Sequence, residues 1–165
     1  MERYIQLAKD LKMTDALLIT PENIVFDIRA ILKCRWGCEE HFAGNIRCRT
    51  GDTSHDERLA MIKKYKNILL VHTHDAHELS KALLIIEQAA FHDGYYFAFA
   101  LRFCHLCKKC LVAGGKDCPT PSKVRPCEAV FGIDVFKTAR NLGLPCRPLQ
   151  SENEQQNRYG FVLLD

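Results

Sequence analysis

The chain has no apolar run approaching the ~20 residues of a membrane-spanning helix. Its nearest approach, residues 95–103, already contains Arg102, so a helical membrane span is excluded. The opening residues, Met1-Glu2-Arg3-Tyr4-Ile5-Gln6, lack the basic and apolar regions of a secretory signal, and the expected location is cytoplasmic. There is no Walker loop, no Gly-x-Gly-x-x-Gly fingerprint and no Ser/His/Asp set, which removes the common nucleotide-binding and triad-hydrolase classes. Gly114-Gly115 merely suits a tight turn. Internal repeats and low-complexity linkers are missing too. No aromatic-plus-basic motif accompanies Lys63, Lys64, Lys66 or Lys108-Lys109. These read as solvated faces, and no nucleic-acid partner is expected.

Cysteine is abundant: nine thiols in 165 residues. With 47% hydrophobic and 26% charged residues, the composition is that of one soluble globular domain, residues 1–165. Thiols in a reducing compartment favour metal binding over a disulfide framework. The densest pattern is Cys104-x-x-Cys107-x-x-Cys110, followed by Cys118-Pro119. Three thiols at two-residue spacing plus a fourth on a Cys-Pro step is how ferredoxin-type proteins wrap a [4Fe–4S] cluster. A zinc site rarely draws three cysteines from so short a run, so zinc is the alternative metal here. The formal charge of +3 would fall to about −1 with two clusters, each contributing about −2 with its four thiolates.

Cys34, Cys38 and Cys48 form a second group. Three thiols make an incomplete site. The fourth ligand is open among Cys127, Cys146 and His41, or one iron corner is free for an exogenous ligand; buried packing is the competing reading of Cys34 and Cys38, and of Cys127 and Cys146. His72, His74 and His77 sit at a strand-to-helix junction where all three could converge, although ordinary capping also collects polar residues there.

Periodicity predicts alternating strands and helices. Residues 24–32 read as a strand running into the first cysteine loop. Ser54 and Glu57 form a capping box for a helix carrying Leu59, Ile62 and Tyr65 on one face. Residues 68–71 are a short buried strand. Asp75 to Glu78 is a second capping box, for a helix with Leu79, Leu83, Ile86 and Ala90 inward and Gly94 as its stop. Residues 95–103 are a strand leading to Cys104. Pro126 opens a short helix ended by Gly132, and Asp134 caps another that ends near Gly143. Residues 151–157 read as a hairpin loop before a closing strand at 159–164. The expected fold is a single-domain α/β sandwich: a mixed sheet with a β-α-β connection, flanking helices and two cysteine-rich metal-binding loops. Were the strands before the two loops parallel neighbours, both loops would emerge on one sheet edge, where α/β proteins place ligands.

The chain resembles the uncharacterised family of predicted metal-binding proteins, domain of unknown function 2284, cysteine-rich and found mainly in anaerobes and methanogenic archaea. The resemblance rests on Lys33-Cys34-Arg35-Trp36-Gly37-Cys38, Cys48, Cys104-His105-Leu106-Cys107-Lys108-Lys109-Cys110, Cys118-Pro119, and Arg125-Pro126-Cys127-Glu128-Ala129 leading to Gly132-Ile133-Asp134-Val135. That last stretch is the most specific, because metal spacing alone does not demand it. The chain departs from the family at Arg49-Thr50, where Pro-Pro is typical, and at Cys127, where serine is typical. The resemblance implies metal binding, by iron–sulfur chemistry, and supplies no reaction.

The leading expectation is an iron–sulfur protein passing electrons to or from a partner redox protein. One cluster would lie on Cys104, Cys107, Cys110 and Cys118, and a second on Cys34, Cys38 and Cys48. The alternatives are an enzyme working through an open iron at the N-terminal site, with Glu128 and Asp134 as acid–base candidates, and a structural or sensory zinc module.

Overall fold

The computed structural model describes residues 1–49, 51 and 53–165. Four strands, β1 (Asp15–Ile19), β2 (Ile68–Thr73), β3 (Phe99–Leu101) and β4 (Arg158–Leu163), make one sheet in the order β1-β2-β4-β3. Every neighbouring pair is antiparallel, so the expected mixed sheet is corrected to an antiparallel one. The reason lies in the returning C-terminal segment. β4 inserts between β2 and β3, pairing Leu163 with Ile68 on one side and with Phe99 on the other. β2 and β3 therefore run in the same direction without being neighbours, and the β-α-β connection spans an intervening strand.

β2 is buried at all six positions, as expected of a strand covered on both faces. Leu69 and Val71 face a cluster with Tyr4, Leu83, Ile86 and Val162. Ile68 and Leu70 face the opposite cluster with Ile62, Ile133, Ala139 and Phe161. The first face is covered by α1 (Glu2–Asp10) and α5 (Ala76–His92), the second by α4 (His55–Lys63) and α6 (Val135–Asn141). Two short helices, α2 (Ile28–Gly37) and α3 (Glu39–Phe42), complete the six among the described residues. None of these helices is long and apolar enough to cross a membrane.

The caps follow the sequence. Ser54 and Glu57 close a reciprocal box on α4. Asp75 accepts from the amides of His77 and Glu78, but that cap is one-sided, because the Glu78 carboxylate takes Lys81 instead. Asp134 accepts from the Lys137 amide to start α6.

Three expected strands or loops are corrected. Residues 24–26 are extended and Phe26 bridges Ile133, but Asp27 then caps a helix by accepting from the Arg29 amide. The cap overrides the β-branched run, so Cys34 stands on a helix and not after a strand. Of residues 95–103 only Phe99–Leu101 are strand, since the Tyr95 amide is spent closing α5 on the Ala90 carbonyl. The 151–157 segment is no hairpin loop, because α6 and irregular chain precede it, with no strand. The helix expected after Pro126 is a 3-10 turn, Glu128–Phe131, closed by Gly132 at φ 75°.

One glycine is dictated by packing. A β-carbon on Gly160 of β4 would collide with Leu83 Cδ1 of α5 and come within 3.1 Å of Arg102 Cδ. Its absence lets α5 lie close on the sheet beside the residues that lead into Cys104.

Candidate metal centre

The loop after β3 begins at Cys104, and its entry is tied down. The Arg102 amide donates to the Pro126 carbonyl at 3.0 Å. The His105 amide donates to Ser80 Oγ at 3.1 Å, and His77 Nδ1 meets the His105 carbonyl at 2.8 Å. Beyond that entry, Cys104, Cys107, Cys110 and Cys118 all line one cavity of about 160 Å³. Gly115, at φ 75°, reverses the chain between Cys110 and Cys118 after the 3-10 turn Val112–Gly114. Burial pushes the Cys104 thiol up, and the neighbouring Cys107 and Cys118 push it further. Cys107 is exposed.

The three thiols of the second group come from α2, its end, and a 3-10 turn. Cys34 lies on α2, Cys38 is the residue between α2 and α3, and Cys48 ends the turn Ile46–Cys48. Cys34 and Cys48 line a second cavity of about 420 Å³ together with His41, Arg35 and Asn45. The Cys48 thiol is pushed up to about 11, first by burial and then by Cys34 and Cys38. Cys34 is raised by burial and by Cys38. The three are thus electrostatic neighbours, although Cys38 is not in the cavity lining.

A polar wall separates the two cavities. Asn45 lines both. Its side-chain amide donates to Glu40 at 2.7 Å and to Cys110 Sγ at 3.7 Å. Arg47 is buried within the same wall. It donates to the Cys104 carbonyl at 2.6 Å, pairs with Glu40 at 2.5 Å and stacks over Phe103 at 3.8 Å. Sequence reasoning missed both residues. The available signal was Asn45 at a turn start, where its side chain accepts from the Arg47 amide.

The stretch from Arg125 to Glu128 acts as a strap across these elements. Arg125 holds Glu87 of α5 at 2.5 and 2.8 Å, and the Pro126 carbonyl holds Arg102. The Cys127 amide donates to the Arg47 carbonyl at 3.4 Å, while Glu128 is buried facing Arg102 at 3.7 Å. Burial drives the Glu128 carboxyl up, against the pull of Arg102. Glu128 lines neither cavity, and Asp134 serves as a helix cap. Burial raises the Cys127 thiol well above its usual range, and Glu128 adds to the rise. Cys146 packs against the second core face instead. The departure at Thr50 lies outside the described residues.

The three histidines do not converge. His72 is held by Asp15 at 2.7 Å and Asn157 at 2.9 Å and stacks on Tyr159. His74 meets the His72 ring edge-on, whereas His77 turns to the Cys104 loop. Among the described residues no three His, Cys, Asp or Glu side chains are already gathered to hold a single ion. The cysteine sets therefore line cavities without being closed on a point.

A family model described as a predicted metal-binding protein, domain of unknown function 2284, matches residues 17–164. No curated protein and no solved structure matches the chain.

Proposed function

The chain belongs to this family of predicted metal-binding proteins, and from that premise we propose that it is an iron–sulfur protein that exchanges electrons with a partner redox protein. The observation that carries the reading is the convergence of Cys104, Cys107, Cys110 and Cys118 on one cavity. Four soft thiol donors in a Cys-x-x-Cys-x-x-Cys run with a later Cys-Pro suit a [4Fe–4S] cluster. The cluster supplies one-electron redox chemistry; the chain supplies its ligands and their surroundings. Asn45 aims an amide donor at Cys110 Sγ, and the buried Arg47 places a cation beside the Cys104 loop. Hydrogen bonds to cluster sulfurs and nearby charge set the reduction potential. The exposed Cys107 brings this site to the surface, which suits electron exchange with a partner. Cys34, Cys38 and Cys48 form a second metal site behind the shared wall.

The test is iron, sulfide and zinc content, with EPR, on anaerobically purified wild type beside Cys48→Ala. The expected result is about eight iron and eight sulfide, falling towards four of each in the variant, as two [4Fe–4S] clusters require. About four iron, unchanged by the substitution, would leave one cluster and reduce the N-terminal thiols to packing. Zinc without iron under anaerobic conditions would sink the electron-transfer reading.

A further inference from the structure

We propose that His41 is the fourth donor of the N-terminal site, so that Cys34, Cys38, His41 and Cys48 form a closed Cys₃His set. This rests on the reading of those three cysteines as metal ligands.

Local geometry carries the first part of the argument. Cys34 lies on α2 and Cys38 just past its end, in extended backbone at φ −117° and ψ 115°. There Cys38 precedes α3, and the His41 amide donates to its carbonyl at 3.1 Å, which ties the start of α3 to Cys38. Cys48 then returns on the turn Ile46–Cys48. The cavity supplies the second part, because His41 lines it together with Cys34 and Cys48.

Of the rival donors, Cys127 neighbours Cys34 electrostatically but, unlike His41, does not line the cavity, and it lies beside Glu128. Cys146 packs into the far core cluster. The imidazole is also free to bind. His72, His74, His77 and His105 each commit a ring nitrogen to a protein oxygen. Among the described residues the His41 ring meets Phe42 edge-on and commits neither nitrogen to a protein atom. His55, whose buried Nδ1 is likewise unpaired, lies outside this cavity's lining. A neutral imidazole with an uncommitted ring nitrogen is a good ligand for zinc or iron.

The consequence is functional. Three thiolates and an imidazole fill four coordination positions, the closed arrangement of sites that stabilise or relay and do not bind substrate. The N-terminal site then has no open corner, and chemistry on a small substrate is not its role. Binding draws α3 inward, releasing the thiol protons.

Cobalt(II) alone, added anaerobically to the metal-free full chain, tests this. Trp36, the one tryptophan, stands between Cys34 and Cys38 in the chain and is 72% exposed, and the part of its quenching that Cys48→Ala removes reports this site. Wild type, His41→Ala, His41→Cys, Cys127→Ala and Cys48→Ala are compared. We expect His41→Ala to weaken the quenching titration at least about 100-fold, since even ligand-supporting residues are worth 10–100-fold. His41→Cys restores affinity and strengthens the sulfur-to-cobalt charge-transfer band, which also guards against an alanine variant that merely misfolds. Wild-type affinity in His41→Ala, or a loss confined to Cys127→Ala, overturns the assignment of His41. Trp36 quenching that Cys48→Ala leaves unchanged overturns the three-cysteine site itself, and the inference with it.

Discussion

Arg47→Met removes a buried cation that joins the two cysteine loops, and its cost can be worked from the contacts. The Arg47 side chain is 3% exposed and its partner Glu40 is 24% exposed. Breaking a buried ion pair by deleting one partner costs about 3–5 kcal/mol, chiefly because the remaining charge is left uncompensated. Here Glu40 regains some water through its exposed quarter, and Asn45 still donates to it at 2.7 Å. Both push the estimate to the low end. The lost charge-assisted bond to the Cys104 carbonyl adds about 1.5–3 kcal/mol if that oxygen stays dry. Stacking on Phe103 is worth about 1 kcal/mol, which a methionine sulfur over the same ring largely returns. These contributions overlap, so the expected loss is about 3–4 kcal/mol. For a chain of this length it lowers Tm by roughly 10 °C. The assay is thermal unfolding of the reduced, metal-free protein, followed by circular dichroism. A Glu40→Gln partner variant should make the double loss smaller than the sum of the single losses. A change below about 1 kcal/mol would place Arg47 with ordinary surface pairs and refute the wall as a stabilising element.

Two further expectations follow from packing and from pH. Gly160→Ala should lose about 1–3 kcal/mol through overpacking of α5 on β4, read as a lower urea midpoint at unchanged slope; an unchanged midpoint would mean that Leu83 yields freely. Because the folded Cys48 pKa is raised from 9.0 to about 11, the fold favours the protonated thiol. Its contribution is present below about pH 9 and is lost as pH rises towards 11. Cys48→Ser should flatten that part of the metal-free protein's stability profile, and an identical profile in the variant would contradict the assignment.

The legible parts of the fold are those in which one local rule acts without a rival. Residues 68–71 are apolar at every position because β2 is covered on both faces, and the helix caps at Ser54, Asp75 and Asp134 fall where side-chain oxygens meet free amides. Residues 24–32 differ from their expected strand because β-branched residues and a helix cap compete within nine positions, and Asp27 decides for the helix. Strand order was hidden for a different reason. Nothing local to residues 159–164 says that they pair between β2 and β3 and not at an edge. The site divides in the same way. The cysteine spacings are visible in the chain, whereas Asn45 and Arg47 gain their positions only when the turn that carries them packs on Phe103 and the Cys104 backbone.

That division has a physical consequence. The two core clusters account for the sheet and its covering helices, and the cysteines of both metal-site candidates belong to neither cluster. α2 contributes no buried residue at all. The cysteine-bearing segments from α2 to Cys48, and from Cys104 to Cys118, are therefore stabilised by polar ties: Arg47 to Glu40 and Cys104, His105 to Ser80, and Cys127 to Arg47. Such ties are each worth about 0.5–3 kcal/mol, enough to orient loops but modest beside core burial. Metal binding, where a site is not fully closed beforehand, adds its free energy to folding of the segment that closes. The sheet thus sets where the two cavities lie, and a metal bound as proposed would set how tightly their walls are drawn. The shared wall follows from the same reasoning. Asn45 contacts Cys110 while Arg47 and Cys48 occupy one three-residue turn, so that turn contributes to the walls of both cavities.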